Sequence, residues 1–189
     1  RAMGAQVVKV VALLEDVTQA KGIIAACAQR FGRIDHLVNA AAITDRGSIL
    51  DTDPALFDRM MAINVRAPFF LMQEALHLMR RTATAGSIVN ILSMSGHGGQ
   101  SFLAAYSASK TALGALTKNA AFAMMRDQIR INGLNIGWMD TPGEHAIQRR
   151  VHAAPADWLT AAEAGRPLGR LLKPDEVART VAFLLGPES

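Results

Sequence analysis

Short apolar segments alternate with longer helical segments along the whole chain of 189 residues, and this alternation constrains the fold most. Nearly continuous runs of apolar, often β-branched residues predict buried parallel strands. The predicted strands are 7–14, 36–39, 87–92 and 130–135, and the predicted helices are 18–31, 53–81, 101–126 and 174–185. Strands and helices that alternate in this way predict an α/β fold with a doubly wound parallel sheet.

Local signals mark the helix boundaries. Thr18 is the expected N-cap of the first helix. Asp53 followed by Pro54 opens the second, because proline is favoured at the first helical position. A break is expected near Asn64 and Pro68, since asparagine is a poor helix former. The stretch 138–169, rich in proline, glycine and alanine, is predicted to be irregular.

Length, charge and composition limit the classes of function that the chain can have. The length fits one domain over residues 1–189. The net charge is +4, but the basic residues are scattered singly or in pairs, so nucleic-acid binding is not favoured. No apolar run reaches the length of a membrane span, and scattered histidines give no metal-binding pattern. The single cysteine, Cys27, suits a reducing compartment, so a cytoplasmic location is expected.

The only tyrosine of the chain, Tyr106, lies one helical turn before Lys110. Side chains four residues apart share a helix face. An ammonium beside a phenol is expected to lower the pKa of the phenol and to make it a general acid/base near neutral pH. Taken alone, the pair is more simply explained as an ordinary helical pair with a solvated lysine.

Three stretches rich in small residues follow predicted strands, at 39–48, 93–100 and 135–141. Ligands of doubly wound sheets bind at these carboxyl ends. Ser93 ends one strand, and its hydroxyl is placed to hydrogen-bond a substrate oxygen while Tyr106 exchanges a proton.

Together these motifs resemble the short-chain dehydrogenase/reductase family of single-domain enzymes. The resemblance extends over essentially the whole chain, with the motif spacing intact. It rests on segment 37–43, on Asn64 with Val65, on the strand ending in Ser93, on Tyr106 with Lys110, and on Asn135-Ile136-Gly137 with Thr141.

The resemblance implies hydride transfer between NAD or NADP and a secondary alcohol or ketone. It implies that Tyr106 is the catalytic acid/base, that Lys110 lowers its pKa and binds the nicotinamide ribose, that Ser93 orients the substrate, and that Asn64 supports a water relay. The implied cofactor contacts are Asp16, Val17, Asn39, Ala40, Ala41, Tyr106, Lys110, Ile136, Gly137 and Thr141.

Two motifs depart from the family pattern. The stretch Asn-Asn-Ala-Gly of the family reads Asn39-Ala40-Ala41-Ala42 here, which crowds the cofactor loop slightly and removes a hydrogen bond. The family's Pro-Gly reads Ile136-Gly137, which loosens the backbone after the strand. Neither change removes a catalytic group, so activity is expected to survive.

The resemblance also implies a substrate lid at 138–169, for which a packed surface loop is the alternative. Candidate substrate contacts are Ser95, His97, Trp138, Met139 and His145, although His97 is equally well explained as exposed to solvent. Segment 44–46 is predicted to be a surface turn, with a contact to the substrate or to a neighbouring subunit as the alternative. Wide apolar faces on the helical segments 64–79 and 106–125 imply a homodimer or homotetramer.

The family opens with a strand, a glycine-rich turn, a helix and a second strand, and it closes with a last strand; these portions are absent from this sequence. The glycine turn binds the pyrophosphate, and the second strand selects NAD or NADP. Without them the strand 7–14 has no neighbour, so we expect the molecule to carry these portions. The alternative function is that of a truncated, non-catalytic relative that acts as an interaction protein.

Overall fold

The computed structural model describes residues 4–189, and its centre is a parallel sheet of three strands. The strands lie in the order β1, β2, β3, with Val38 of β1 opposite Val89 of β2, and Val89 opposite Asn132 of β3. Their bounds are β1 His36–Asn39, β2 Ser87–Ser93 and β3 Arg130–Ile136. Three of the four predicted strands and the α/β class with a parallel sheet are therefore confirmed.

Residues 4–189 contain seven α-helices: α1 Val17–Phe31, α2 Pro54–Met61, α3 Ala67–Arg81, α4 Ala104–Ala123, α5 Pro142–Val151, α6 Trp158–Ala164 and α7 Pro174–Leu185. Two short 3₁₀ helices are Met94–His97 and Met125–Asp127, and a π-helical turn, Ala62–Arg66, joins α2 to α3. The break predicted near Asn64 is this π-helical turn. In the described part of the chain, no helix combines the length and the apolar character needed to cross a bilayer.

Helix caps agree with the sequence in one case and differ in another. Asp53 caps α2 as predicted, since its carboxylate accepts the backbone N–H of Leu56 at 2.7 Å. The cap of α1 is Asp16 rather than Thr18. The Asp16 carboxylate accepts the backbone N–H of Thr18 at 2.8 Å, because the first N–H groups of a helix lack partners within it.

The predicted strand at 7–14 is wrong. This segment forms no strand in the structure, and Val11 is 85% exposed. An apolar run becomes a strand only where a neighbouring backbone accepts and donates its ladder hydrogen bonds. Among the described residues no such neighbour lies beside it, and β1 pairs only with β2.

The irregular segment predicted at 138–169 is also wrong in part, since it contains α5 and α6. The signal for α5 is present in the sequence. Thr141 is its N-cap, with Oγ1 accepting the backbone N–H of Glu144 at 3.1 Å, and Pro142 stands at its first position.

The main core lies between one face of the sheet and helices α1, α3 and α4. Ile88 and Leu92 of β2 point into it and pack with Met79 and Leu113. Side chains alternate along a strand, so Ile91 points to the opposite face, where it lines an apolar cavity against α7. Helices therefore cover both faces of the sheet.

Gly86, directly before β2, is buried at a point where the backbone and a core side chain approach it closely. A Cβ atom there would stand 2.7 Å from the carbonyl oxygen of Asp35 and 2.7 Å from Sδ of Met79. Neither neighbour is free to move, since the Asp35 oxygen accepts the N–H of Ser87 and Met79 is fully buried.

We therefore expect Gly86→Ala to lower the free energy of unfolding by about 1–3 kcal/mol, as overpacking does in other cores. The matched control is Gly22→Ala in α1, where a Cβ would meet nothing within 4 Å. Removing a glycine from a helix interior should raise the free energy of unfolding there by about 0.5–1 kcal/mol. Urea denaturation measures both, and equal stability of the two variants would contradict the packing argument.

Candidate active site

A cleft of about 340 Å³ opens where β2 and β3 end and the loop after β1 begins. It brings together most of the side chains that could take part in a reaction. They come from the loop after β1, the ends of β2 and β3, α4 and the start of α5. A larger groove of about 840 Å³ lies along α2 and α3 and contains none of these groups. The chemistry of the lining, rather than the volume, selects the smaller cleft.

Lys110 is a buried ammonium on the wall of this cleft. Lys110 as a whole is 5% exposed, and its Nζ donates a hydrogen bond of 2.7 Å to the carbonyl oxygen of Ile91. Within residues 4–189 it has no carboxylate within 4.0 Å. Burial lowers the pKa of Lys110 to about 8. Because an ammonium carries three donors, two of them remain for a ligand.

Tyr106 is half-buried, one turn before Lys110 on α4. Burial raises the pKa of its phenol; the Ser93 hydroxyl and the charge of Arg46 oppose this, and Glu144 adds to it. The predicted lowering of this pKa by Lys110 is wrong for this structure. The Lys110 ammonium bonds to Ile91 instead and stands 5.8 Å from the centre of the phenol ring.

Ser93 ends β2 and is buried beside Tyr106 in the cleft lining. Its Oγ accepts the backbone N–H of Ser95 at 3.1 Å and caps the short 3₁₀ helix that follows. A hydroxyl that accepts one bond still has its own O–H to donate. Ser93 can therefore donate to an oxygen atom that Tyr106 also approaches.

Asn64 lies in the π-helical turn and is 1% exposed. Its Oδ1 accepts the N–H of Ile43 at 2.9 Å, while Nδ2 donates to the Ile43 carbonyl at 2.9 Å and to Oγ of Ser109 at 3.1 Å. These bonds fasten the loop after β1 to α4. Both amide protons are used, so the water relay, which stays a prediction, has no free donor on this side chain.

A buried chain of polar side chains crosses the sheet behind the cleft. Nδ2 of Asn39 donates to Oδ1 of Asn90 at 2.8 Å, and Nδ2 of Asn90 donates to Oγ1 of Thr117 at 2.9 Å. It joins β1, β2 and α4, and its members are less than 9% exposed. The sequence analysis missed Asn90, although an asparagine in the middle of an apolar strand is a usable signal.

Segment 138–169 is fastened by a second polar cluster. The carboxylate of Asp140 contacts Nζ of Lys173 at 2.7 Å and Nε2 of His145 at 2.7 Å, and these contacts lower the pKa of Asp140. Nε1 of Trp158 donates to Nδ1 of His145 at 3.2 Å. The imidazole therefore carries its proton on Nε2 and donates it to Asp140.

Arg46 and Glu144 form an ion pair in the wall of the cleft, which the sequence analysis missed. Their side chains are 13% and 12% exposed, and Nη2 of Arg46 lies 3.2 Å from Oε1 of Glu144. The predicted surface turn at 44–46 is therefore wrong at Arg46, because α5 covers its side chain. The partners are 98 residues apart, so no local pattern marks them.

About half of the predicted site residues line the cleft. Lining it are Ala40, Ser93, Tyr106, Lys110, Ile136, Gly137, Trp138, Met139 and Thr141. Outside its lining are Asp16, Val17, Asn39, Ala41, Asn64, Ser95, His97 and His145. Asp16 is engaged in capping α1, and Ala41 lines a separate cavity beside β1. Ser95 and His97 belong to the 3₁₀ helix beside the cleft.

Known proteins share both the sequence pattern and the fold. A family model described as enoyl-(acyl carrier protein) reductase matches residues 1–189. Galactitol 2-dehydrogenase of Agrobacterium fabrum is 32% identical over 180 residues, 92% of this chain and 70% of that protein. A protein of Talaromyces verruculosus named short-chain dehydrogenase/reductase cdmF is 34% identical over 186 residues, 92% of this chain and 70% of its own length.

Solved structures of similar proteins have the same fold as this chain. An NAD⁺-bound xylitol dehydrogenase superposes with a TM-score of 0.84 at 28% identity, covering 95% of this chain and 72% of that one. Two other similar structures hold NADP or NADPH, at TM-scores of 0.82 and 0.85. With the tyrosine, lysine and serine of its cleft in place, the chain belongs to the short-chain dehydrogenase/reductase family of oxidoreductases.

Proposed function

We propose that this cleft transfers a hydride between NAD or NADP and a secondary alcohol or ketone. The observation that carries the proposal is the buried Lys110 ammonium, which has one hydrogen bond and stands beside Tyr106 and Ser93. Burying a charge without a partner is costly, so a fold keeps one where a ligand completes its bonds. Similar proteins that hold NAD⁺, NADP or NADPH support this choice of cofactor.

The residues present fit the nicotinamide end of such a cofactor. The two free donors of Lys110 suit the hydroxyls of a ribose. Ala40, Ile136 and Gly137 give the cleft a wall without charges, and small side chains there allow close approach of a flat ring. Thr141 Oγ1 accepts the N–H of Glu144 and keeps its own proton for a ligand. When bound, the nicotinamide supplies or accepts the hydride.

Tyr106 and Ser93 then divide the proton chemistry. In reduction, the Tyr106 phenol donates its proton to the substrate oxygen while the Ser93 hydroxyl donates a hydrogen bond to the same atom. In oxidation, Tyr106 takes that proton back. Burial keeps the phenol protonated until it donates, and the Lys110 ammonium, 5.8 Å from the centre of the phenol ring, serves to bind the cofactor.

The segment 138–169 forms the lid of this cleft. Trp138, Met139 and Glu144 line the cleft, so α5 and the chain before it cover the substrate side. Polar contacts fasten the beginning of the segment, through Arg46 with Glu144 and through Lys173 with Asp140. A cover of this kind excludes water from the transfer step.

A second copy of the chain, in a homodimer or homotetramer, would cover the outer side of α3 and α4. An apolar groove of about 440 Å³ runs there, and its lining includes Phe69, Met72, Leu76, Leu116 and Met124. Phe122 on α4 is 80% exposed. The protein is expected in the cytoplasm, where its single thiol, Cys27, stays reduced.

Tyr106→Phe should lower kcat by about 10²-fold or more, because the variant keeps the ring and loses the proton donor. Cofactor affinity should stay nearly unchanged, as measured by a titration with NADH and NADPH. Ser107→Ala, on the same helical turn, is the matched control and should keep its activity. Near-normal turnover in Tyr106→Phe would contradict the mechanism, and absence of cofactor binding in the unmodified protein would favour the non-catalytic alternative.

Lys110 should make stability depend on pH. Its pKa is about 8 in the fold and 10.5 as a free side chain, so the unfolded chain binds more protons between these values. Stability therefore rises with pH from about 8 to 10.5. Below pH 8 the cost of burying the charge is fully present.

Lys110→Met removes that cost. The variant should be inactive and, at pH 7, more stable than the parent by on the order of 1–3 kcal/mol. This difference should shrink as the pH rises above the pKa of Lys110, about 8. Urea denaturation at pH 7, 8, 9 and 10 measures this. A difference in stability between parent and variant that stays constant as the pH rises would refute the assignment of a buried, ligand-binding ammonium.

A further inference from the structure

The ion pair of Arg46 and Glu144 has hydrogen-bonding capacity that the protein itself does not use. Arg46 donates to the Thr44 carbonyl at 2.8 Å, to Nε2 of His152 at 3.3 Å and to Glu144 at 3.2 Å. A guanidinium has five N–H groups, so two remain.

Glu144 is used on one side only. Its Oε1 accepts from both Arg46 and Gln148, whereas its Oε2 accepts no hydrogen bond from any residue of 4–189. This oxygen is not sealed in the core, since Ser107 Oγ is the one fully buried, unpartnered side-chain oxygen or nitrogen in the described chain. Two residues of the cleft wall thus have unused capacity, Glu144 as an acceptor and Arg46 as a donor.

Both charges lie near the reacting group. Arg46 and Glu144 line the same cleft as Tyr106 and Ser93, and they shift the pKa of the Tyr106 phenol in opposite directions. Among the described residues, the rest of the wall away from Lys110 carries no other charged side chain, since it consists of apolar residues such as Leu103 and Met139 and of the neutral Thr44 and Thr141. The ion pair is therefore the charged feature that a substrate would meet beside Tyr106.

The chemistry of the pair selects among substrates. A carboxylate would be attracted by Arg46 but repelled by Glu144, and an ammonium would experience the reverse. A hydroxyl can donate to Glu144 and accept from Arg46, so it suits both. A neutral group that only accepts would leave the Glu144 oxygen without a donor, which costs free energy in a closed cleft.

We propose that Arg46 and Glu144 determine substrate specificity, and that the preferred substrate carries a second hydroxyl next to the carbon that is oxidised. This inference rests on the function proposed above. In oxidation the reacting carbon loses a hydride to the nicotinamide and its hydroxyl proton to Tyr106. The neighbouring hydroxyl is bound by the ion pair and does not react.

The test compares two substrates that differ by one hydroxyl, 2,3-butanediol and 2-butanol, with NAD and with NADP. The unmodified protein should prefer the diol by about 10-fold or more in kcat/KM, since a site built to bind a hydroxyl rejects the analogue that lacks it. Glu144→Gln keeps the shape and removes the charge. It should remove most of that preference by lowering kcat/KM for the diol, with 2-butanol changed less than about threefold.

A second ion pair provides the matched control. Nη2 of Arg150 lies 2.9 Å from Oδ1 of Asp45 and joins the same two segments outside the cleft. Arg150→Gln should leave kcat/KM for both alcohols, and therefore the preference for the diol, unchanged. Circular dichroism and cofactor titration show whether each variant is folded and loaded.

Three outcomes would overturn the inference. Equal kcat/KM for both alcohols in the unmodified protein would do so while leaving the proposed hydride transfer intact. An equal loss on both alcohols in Glu144→Gln would show that the pair only fastens the lid. Turnover of neither alcohol, despite cofactor binding, would count against the specificity and the proposed function together, and this pattern is distinct from the other two.

Discussion

Strand β2 is buried along its whole length, and it fixes the positions of the groups that form the cleft. It pairs on both sides and packs on both faces, so its backbone has no freedom to shift. Ile91 supplies the carbonyl that holds Lys110, and Ser93 ends the strand inside the cleft. The separation of the amine from the serine hydroxyl is thus fixed by a rigid strand and by the helix α4 packed against it.

Buried polar side chains connect that strand to its surroundings. Asn90 lies at its centre and is bonded to Asn39 on β1 and to Thr117 on α4. Asn64 connects the loop after β1 to the π-helical turn, because the oxygen and the nitrogen of its amide both hydrogen-bond to the backbone of Ile43. Each of these amides would be costly if it lost a partner, so together they define one arrangement of loop, sheet and helix.

The sequence predicted those elements whose cause is local. The strand His36–Asn39 and the helix Pro174–Leu185 have the predicted bounds, because an apolar run and a proline at the helix start are local signals. The segment 7–14 has the same apolar character, but within residues 4–189 it has no neighbouring strand to pair with, and an apolar run does not form a strand without one. The site divides in the same way. Tyr106 and Lys110 are one turn apart and were found, whereas Arg46 and Glu144 meet only through the fold.

The placement of the aromatic residues has a spectroscopic consequence. Both tryptophans of the chain, Trp138 and Trp158, lie in segment 138–169, with ring centres 5.9 Å apart. Trp158 is buried against His145, and Trp138 lines the cleft. Tryptophan emission from this protein therefore originates in segment 138–169 alone, because neither the sheet nor the helices packed on it contain tryptophan. The molecule carries an intrinsic optical probe of that one segment.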